Sequence, residues 1–322
     1  MRTKVNKMEG RMHQSGAQFL GYFGKILILT GMVLVFGSLG VLLSNGLVQL
    51  FWGIDLSSIN FNEIKESDVQ IIAALKLYQT IGGGIGMFLV PALVFPGAIK
   101  YQIGSMILYR TKLQPNFVAL GILSILVAIP AISWMYAINQ QMHLPASMNA
   151  LETSIRLMEQ QAEALTKLFV FADSVPVLLL NIFVVAMVPA ICEEFFFRGI
   201  LLQYTRFIFD NQWVAVLVSA IVFSGFHGQF YGFIPRFALG CLLGFLYLHS
   251  ANIYVPIAAH FVNNAIAVLA VYFEKELSSY LIFQEDYHFT WYWAILSAAA
   301  SIGIVWYLRN ELIQSLYTKL KK

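Results

Sequence analysis

Three short stretches of the 322-residue chain carry acid, base and amide side chains one helical turn apart inside apolar runs. In EEFFFR, Glu193 and Glu194 precede Arg198. Glu194 and Arg198 are four residues apart, so a helix puts them on one face, with the acid first, the favourable order for an ion pair. Glu193 then points about 100° away. A carboxylate without its own cation in a place of low dielectric is suited to take a proton near neutral pH, as a general base must. In FSGFH, His227 follows Phe223 by one turn, and in HFVNN, Asn264 follows His260 by one turn. Each stretch alone has a plainer reading: a buried ion pair pinning two helices, an interfacial histidine, an interhelical hydrogen bond. Together they supply a carboxylate, two imidazoles and an amide donor, with no serine or cysteine nucleophile in a recognisable pairing. That set suits water activation and oxyanion stabilisation, which is hydrolysis without a covalent intermediate.

Glu193, His227 and His260 would also make a zinc triad of one carboxylate and two imidazoles. The chain has no HExxH, which would put two imidazoles on one helix face, and asparagine is a poor zinc ligand. No metal or other cofactor is favoured; zinc is the alternative.

The elements that must hold these residues are membrane spans. The chain is 59% hydrophobic and only 11% charged, against about 25% charged for soluble domains, which excludes a soluble enzyme. A bilayer core about 30 Å thick needs roughly 20 apolar helical residues. Runs of that kind lie near 26–43, 77–99, 117–137, 175–204, 213–226, 230–248, 253–273 and 289–308. The fold class read from them is an all-α, polytopic membrane protein of about eight transmembrane helices, with the active site buried among helices of the C-terminal half. Pro189 is expected to kink the fourth span just before the acids. Ionisable residues at membrane depth usually mark function, and here they are Glu193, Glu194, Arg198, His227, Arg236 and His260.

Three segments follow: residues 1–172, an N-terminal region of about three spans plus an interfacial helix; residues 173–275, the catalytic core; and residues 276–322, a final span and tail. The polar stretch before the first span is unlike a cleaved signal peptide. The two cysteines, Cys192 and Cys241, lie in apolar runs and read as small packing residues. The stretch 151–171 has an apolar stripe of Ile155, Leu157, Met158, Ala162, Leu165 and Leu168. It predicts a helix at the interface, either a lid over a site or a surface helix. Lys and Arg gather at the N-terminus, at 100–112, at Arg206 and in the C-terminal tail, whereas the alternate loops hold Lys65, Lys76, Arg156, Lys167, Arg236 and Lys275. This asymmetry predicts both termini in the cytoplasm.

The ordered triple Glu193-Glu194-x-x-x-Arg198, Phe223-x-x-x-His227 and His260-x-x-x-Asn264 resembles the CAAX protease and bacteriocin-processing (Abi) family of intramembrane endopeptidases, which includes the type II CAAX prenyl proteases. The resemblance covers about 175–273. It implies Glu193 as the base that activates water, His227 as a second holder of that water, and His260 and Asn264 as the oxyanion hole. Glu194 and Arg198 would be structural or substrate-orienting. It also implies a peptide or protein substrate at the membrane, of prenylated CaaX type or bacteriocin-like, with membrane lipid as the surroundings and no nucleic-acid partner. In a bacterium the site would be the plasma or inner membrane. Two other classes remain: a proton or ion transporter, which predicts inverted repeats that the chain does not display, and a non-catalytic immunity or scaffold protein, which predicts a function indifferent to loss of Glu193.

Overall fold

A computed structural model describes residues 2–100, 113–274 and 289–320, and among these there are helices and no strand. In chain order the helices are α1 (Arg2–Trp52), α2 (Val69–Ala98), α3 (Pro115–Gln140), α4 (Asn149–Val170), α5 (Val175–Phe209), α6 (Gln212–Phe226), α7 (Phe233–Ser250), α8 (Tyr254–Tyr272) and α9 (Trp291–Leu320). Among the described residues seven helices are long and apolar enough to cross a bilayer: α1 from Gly21, α2, α3, α5, α7, α8 and α9 up to Gln314. The eighth expected span, α6, is apolar but has only 15 residues, about 22 Å of helix. The protein is an all-α, multi-pass integral membrane protein. Leu34, Leu42, Ile302 and Trp306 show their apolar side chains on its outer surface, as lipid contact requires.

Pro189 does not break α5. The 182–187 stretch widens into a π-helical turn in which the Val188 N–H reaches back five residues to the Phe183 carbonyl. A second π-helical stretch, Phe195–Leu202, follows the acids directly. Single-turn widenings of this kind absorb a missing donor without ending the helix. α5 ends where Asp210 takes a left-handed conformation, and Asn211 then caps α6 by accepting from Trp213 N (2.9 Å) and Val214 N (3.3 Å). In α3, Pro130 loosens the helical ladder. Ser297 of α9 fills the gap, donating to the Val127 carbonyl and accepting from Ala131 N.

α1 and α2 cross at glycines. A methyl group at Gly86 would sit 2.9 Å from the Phe36 carbonyl oxygen and 3.1 Å from the Gly40 Cα, so the two backbones touch as in small-residue crossings of membrane helices. On its other side α2 meets α5: a methyl group at Gly84 would lie 3.7 Å from the Cys192 sulfur. The N-terminal helices thereby back the site. Cys192 and Cys241 are both free thiols.

Two expectations change. Lys76 is not a loop residue. It is buried in α2 and donates to Asn181 Oδ1 of α5 at 2.6 Å, while Asn181 Nδ2 donates to the Val170 and Phe171 carbonyls, each at 2.9 Å. This ties the C-terminal end of α4 to two spans, and a cation near a helix C-terminus is favourable. Arg236 likewise sits in the first turn of α7. Neither residue belongs in a count of loop charges. Arg110, Lys112, Lys275, Lys321 and Lys322, also part of that count, lie outside the described residues. The stripe predicted for α4 is divided: Ile155, Ala162, Leu165 and Leu168 are half-buried, but Leu157 and Met158 are exposed.

Replacing Gly86 with alanine should lower the thermal unfolding midpoint in detergent, by the equivalent of about 1–3 kcal/mol, because a backbone and not a flexible side chain stands in the way. Gly31→Ala, with nothing within 4 Å, is the control and should leave the midpoint within error.

Candidate active site

A buried network of charged and polar contacts meets at Glu194. Its Oε1 accepts from Arg198 Nη1 at 2.7 Å, the i,i+4 partner on α5, and faces His260 Nδ1 of α8 at 2.8 Å. Arg198 Nη2 donates to the Gly240 carbonyl of α7 at 3.0 Å, and the guanidinium carbon lies 4.8 Å from the centre of the Phe223 ring of α6. Glu194 and Arg198 are completely buried, and His260 is 3% exposed. Four helices are therefore fastened by one carboxylate and one guanidinium. Burial leaves Arg198 no face toward a substrate. Position 240 is glycine because α7 runs against α6 there: a methyl group would lie 3.0 Å from Ala220 Cβ and 3.1 Å from its Cα.

Glu193 points elsewhere, as the 100° offset requires. Its Oε2 is 4.0 Å from His260 Nε2 and has no hydrogen-bond partner. His260 thus stands between the two acids, Nδ1 to Glu194 and Nε2 toward Glu193. His227 follows the last turn of α6 and is exposed. Its Nδ1 lies 2.9 Å from the Phe223 carbonyl oxygen. A carbonyl only accepts, so Nδ1 carries the proton and Nε2 is left as an acceptor. The Phe223 ring is 5.0 Å from the His227 ring and 5.8 Å from the His260 ring, packed edge-on between the two imidazoles. Asn264, half-buried one turn after His260, accepts from Asn263 Nδ2 through Oδ1 at 3.2 Å. Its remaining hydrogen-bonding capacity is chiefly the donor side of its amide.

The turn after His227 is held by residues that sequence reasoning missed. Gly228 adopts φ +65 and reverses the chain. Asn139 of α3 donates to the Phe230 carbonyl (3.2 Å) and accepts from Ile234 N (2.9 Å). Glu159 of α4 accepts from the backbone N–H groups of Phe230 and Tyr231. Glu152 anchors the start of α4: the Leu144 N–H at 2.8 Å, His143 at 2.9 Å and Arg156 hold its carboxyl down to about 2. Glu159 is half-buried while its neighbour Met158 is exposed; that difference comes from packing, and no spacing in the sequence marked Glu159 for this role.

A zinc centre needs its donors to converge on one point about 2 Å from each. Among the described residues no three His, Cys, Asp or Glu side chains converge in this way. His260 Nδ1 is engaged by Glu194 and His227 Nδ1 by the Phe223 carbonyl, which leaves Nε2 of each imidazole. Metal-ligating histidines are held in the same way, so the separation of the donors, and not these hydrogen bonds, is what departs from a zinc triad of Glu193, His227 and His260.

The central pair sets a stability test. Arg198→Ala would leave Glu194 charged, buried and facing only a histidine, so it should destabilise by about 3–5 kcal/mol, because removing one partner of a buried ion pair strands the other. Arg198→Lys keeps the charge but cannot reach both Glu194 and Gly240 with a rigid fork, so its unfolding midpoint should fall between those of the wild type and Arg198→Ala.

Comparison with known proteins adds an independent line. The family model described as type II CAAX prenyl endopeptidase Rce1-like matches residues 175–266. Two proteins of Bacillus subtilis (strain 168) are similar to part of the chain. "Uncharacterized protein YpbD" is 30% identical over 94 residues, 29% of this chain and 47% of that protein. "Putative membrane peptidase YdiL" is 33% identical over 101 residues, 30% of this chain and 39% of that protein. The chain thus spans less than half the length of either relative. No solved structure matches it. Glu193, Glu194, Arg198, His227, His260 and Asn264 all fall within 175–266, and this stretch is similar, at the level of the family, to the Rce1-like type II CAAX prenyl endopeptidases.

Proposed function

We propose that the protein is an intramembrane endopeptidase that hydrolyses a peptide bond of a membrane-associated substrate of prenylated CaaX type, using a water activated by Glu193. The observation that carries this reading is the split between the two adjacent acids. Glu194 is fully buried with its Oε1 held by both Arg198 and His260, whereas the Glu193 side chain is 16% exposed and has only His260 Nε2 nearby, 4.0 Å from its Oε2. The family-level match of residues 175–266 supports a membrane protease.

In the proposed reaction, Glu193 removes one proton from water, and His227 Nε2 accepts a hydrogen bond from the other. The hydroxide adds to the scissile carbonyl carbon. The oxygen that becomes negative is received by the Asn264 amide and His260 Nε2–H. His260 can donate there while its Nδ1–H is held by Glu194, and the buried charges of Glu193, Glu194, Arg198 and His260 then sum to zero. Glu193 returns its proton to the leaving nitrogen as the C–N bond breaks, which leaves an amine and a carboxylic acid; the acid then loses its remaining hydroxyl proton to the amine or to water and becomes a carboxylate. No step passes through a metal.

The discriminating measurement is cleavage of a quenched fluorescent farnesylated CaaX peptide by the purified protein, beside Glu193→Gln, each with and without a chelator. Cleavage that survives chelation and disappears in Glu193→Gln is expected. Loss on chelation with recovery on adding zinc would replace this mechanism with the metal-dependent one. Full activity of Glu193→Gln would remove Glu193 as the base, and no cleavage by the wild type would favour the non-catalytic immunity or scaffold reading. Asn264→Ala should lower kcat by about 10²–10³ if its amide donates to the oxyanion; a change in KM alone would make it a binding residue.

A further inference from the structure

Between α3, α7, α9 and the start of α6 the helices leave an apolar groove of about 570 Å³. Small side chains make room for it on three helices: Ala128 and Ala131 on α3, Ala238 and Cys241 on α7, and Ala298 on α9. Trp213 and Trp306, both exposed, stand beside them. The Ser301 hydroxyl in its wall is satisfied within the protein, since it donates to the Ser124 carbonyl at 3.0 Å. Glu193, His227, His260 and Asn264 are not among its walls.

The groove has the depth of one leaflet and a cationic end. Along α7 its walls run from Phe237 to His249, about 18 Å of helix, against about 15 Å for half of a bilayer core. The Trp213 ring packs on Phe245 with centroids 4.8 Å apart, and Phe245 stacks on the His249 ring at 6.0 Å and 16°. These three rings gather at one end, where tryptophan is favoured at the edge of the hydrocarbon. Arg309 of α9 acts electrostatically on His249 and so belongs to the same end. No carboxylate is among the walls, and among the described residues Arg309 has none in salt-bridge range. Walls with so few polar partners do not hold water, and an empty groove would forfeit the dispersion contacts of its lining. A hydrocarbon chain from the bilayer supplies those contacts. A guanidinium at its head favours an anionic headgroup, because its planar fork matches a phosphate.

We propose that this groove is a binding site for an anionic phospholipid of the surrounding bilayer, with one acyl chain lying between α3, α7 and α9 and the phosphate at Arg309 beside His249. The inference is independent of the hydrolytic reading and concerns a resident lipid, not a substrate. It has a structural consequence. Cys241 in the wall follows Gly240, whose carbonyl receives Arg198, so the chain lies against the part of α7 that braces the central ion pair.

The test uses the tryptophans of the groove as reporters. The full-length protein in a nonionic detergent is titrated with phosphatidylglycerol carrying brominated acyl chains, which quench tryptophan on contact, and in parallel with phosphatidylcholine carrying the same chains. Half-quenching should need about 5-fold less phosphatidylglycerol, the contribution of one basic residue at an anionic lipid surface. Arg309→Gln should bring that ratio to about 1 without changing the phosphatidylcholine curve. Ala298→Phe, which puts a ring into the groove, should weaken quenching by both lipids. Trp213→Phe with Trp306→Phe should remove the preferential signal. Equal quenching by the two lipids, or a preference that survives Arg309→Gln, would overturn the headgroup assignment, and quenching untouched by Ala298→Phe would place the chain elsewhere. Recovery of fluorescence on adding an unbrominated farnesylated peptide would give the groove to a substrate chain, and recovery on dimerisation would give it to a second copy; either result overturns the proposal. Arg309 is exposed and Ala298 borders open space, and should one variant fail to fold the other still decides. No cleavage is read, so the outcome is separate from that of the hydrolysis assay.

Discussion

One oxygen of Glu194 is shared by a guanidinium and an imidazole, and the geometry of the site is organised around that sharing. In the membrane interior an unpaired charge is expensive, so the carboxylate and Arg198 have to find one another, and the i,i+4 spacing lets them do so on one helix. The carboxylate oxygen also faces His260 Nδ1 on one side, and the second guanidinium nitrogen donates to the Gly240 carbonyl on the other. This fixes the rotation of α5 against α7 and α8. It also fixes the imidazole: with Nδ1 held, Nε2 can point only toward Glu193. Two identical side chains, adjacent in the chain, become an acid held by Arg198 and His260 and an acid that only His260 Nε2 approaches, through about 100° of helix rotation.

The second level of control lies outside the lipid-facing bundle. His227 sits beyond the end of a short helix, where a chain would ordinarily fray. Its turn is instead stitched by Asn139 from α3 and Glu159 from α4. α4 is in turn fixed at its start by Glu152 and at its end by Asn181 and Lys76. A helix that sequence alone leaves as either lid or surface decoration is thereby a positioning strap for the turn that carries a motif histidine. The N-terminal helices join the same arrangement through the glycine crossing of α1 with α2 and the contact of α2 with Cys192.

Much of this was legible in the sequence because it depends on local period and on the cost of charge in lipid. Runs of about 20 apolar residues must be helices in a bilayer, since no other open structure satisfies its own backbone. The few charges inside them must be paired or used. The pairing of Glu194 with Arg198 and the separate direction of Glu193 follow from 3.6 residues per turn. So did the placing of His260 and Asn264 on one face. The match of residues 175–266 to a protease family covers these same positions.

What the sequence could not give is anything that joins residues far apart in the chain. The contacts of Glu194 with His260, Arg198 with Gly240, Glu159 with the Phe230–Tyr231 turn, and Lys76 with Asn181 bridge 66, 42, 71 and 105 positions respectively. No periodicity encodes such pairs, because helix order around the bundle, and with it the neighbours of each polar group, is set only when the helices pack. For the same reason Lys76 reads as a loop charge until α2 is seen to bury it. Arg236 is counted with the loop charges until the tertiary structure places it in the first turn of α7, donating to Gln229. The sequence determined that there are membrane helices with a divided acid pair. The packing of those helices decided which histidine, which carbonyl and which empty space each charge would meet.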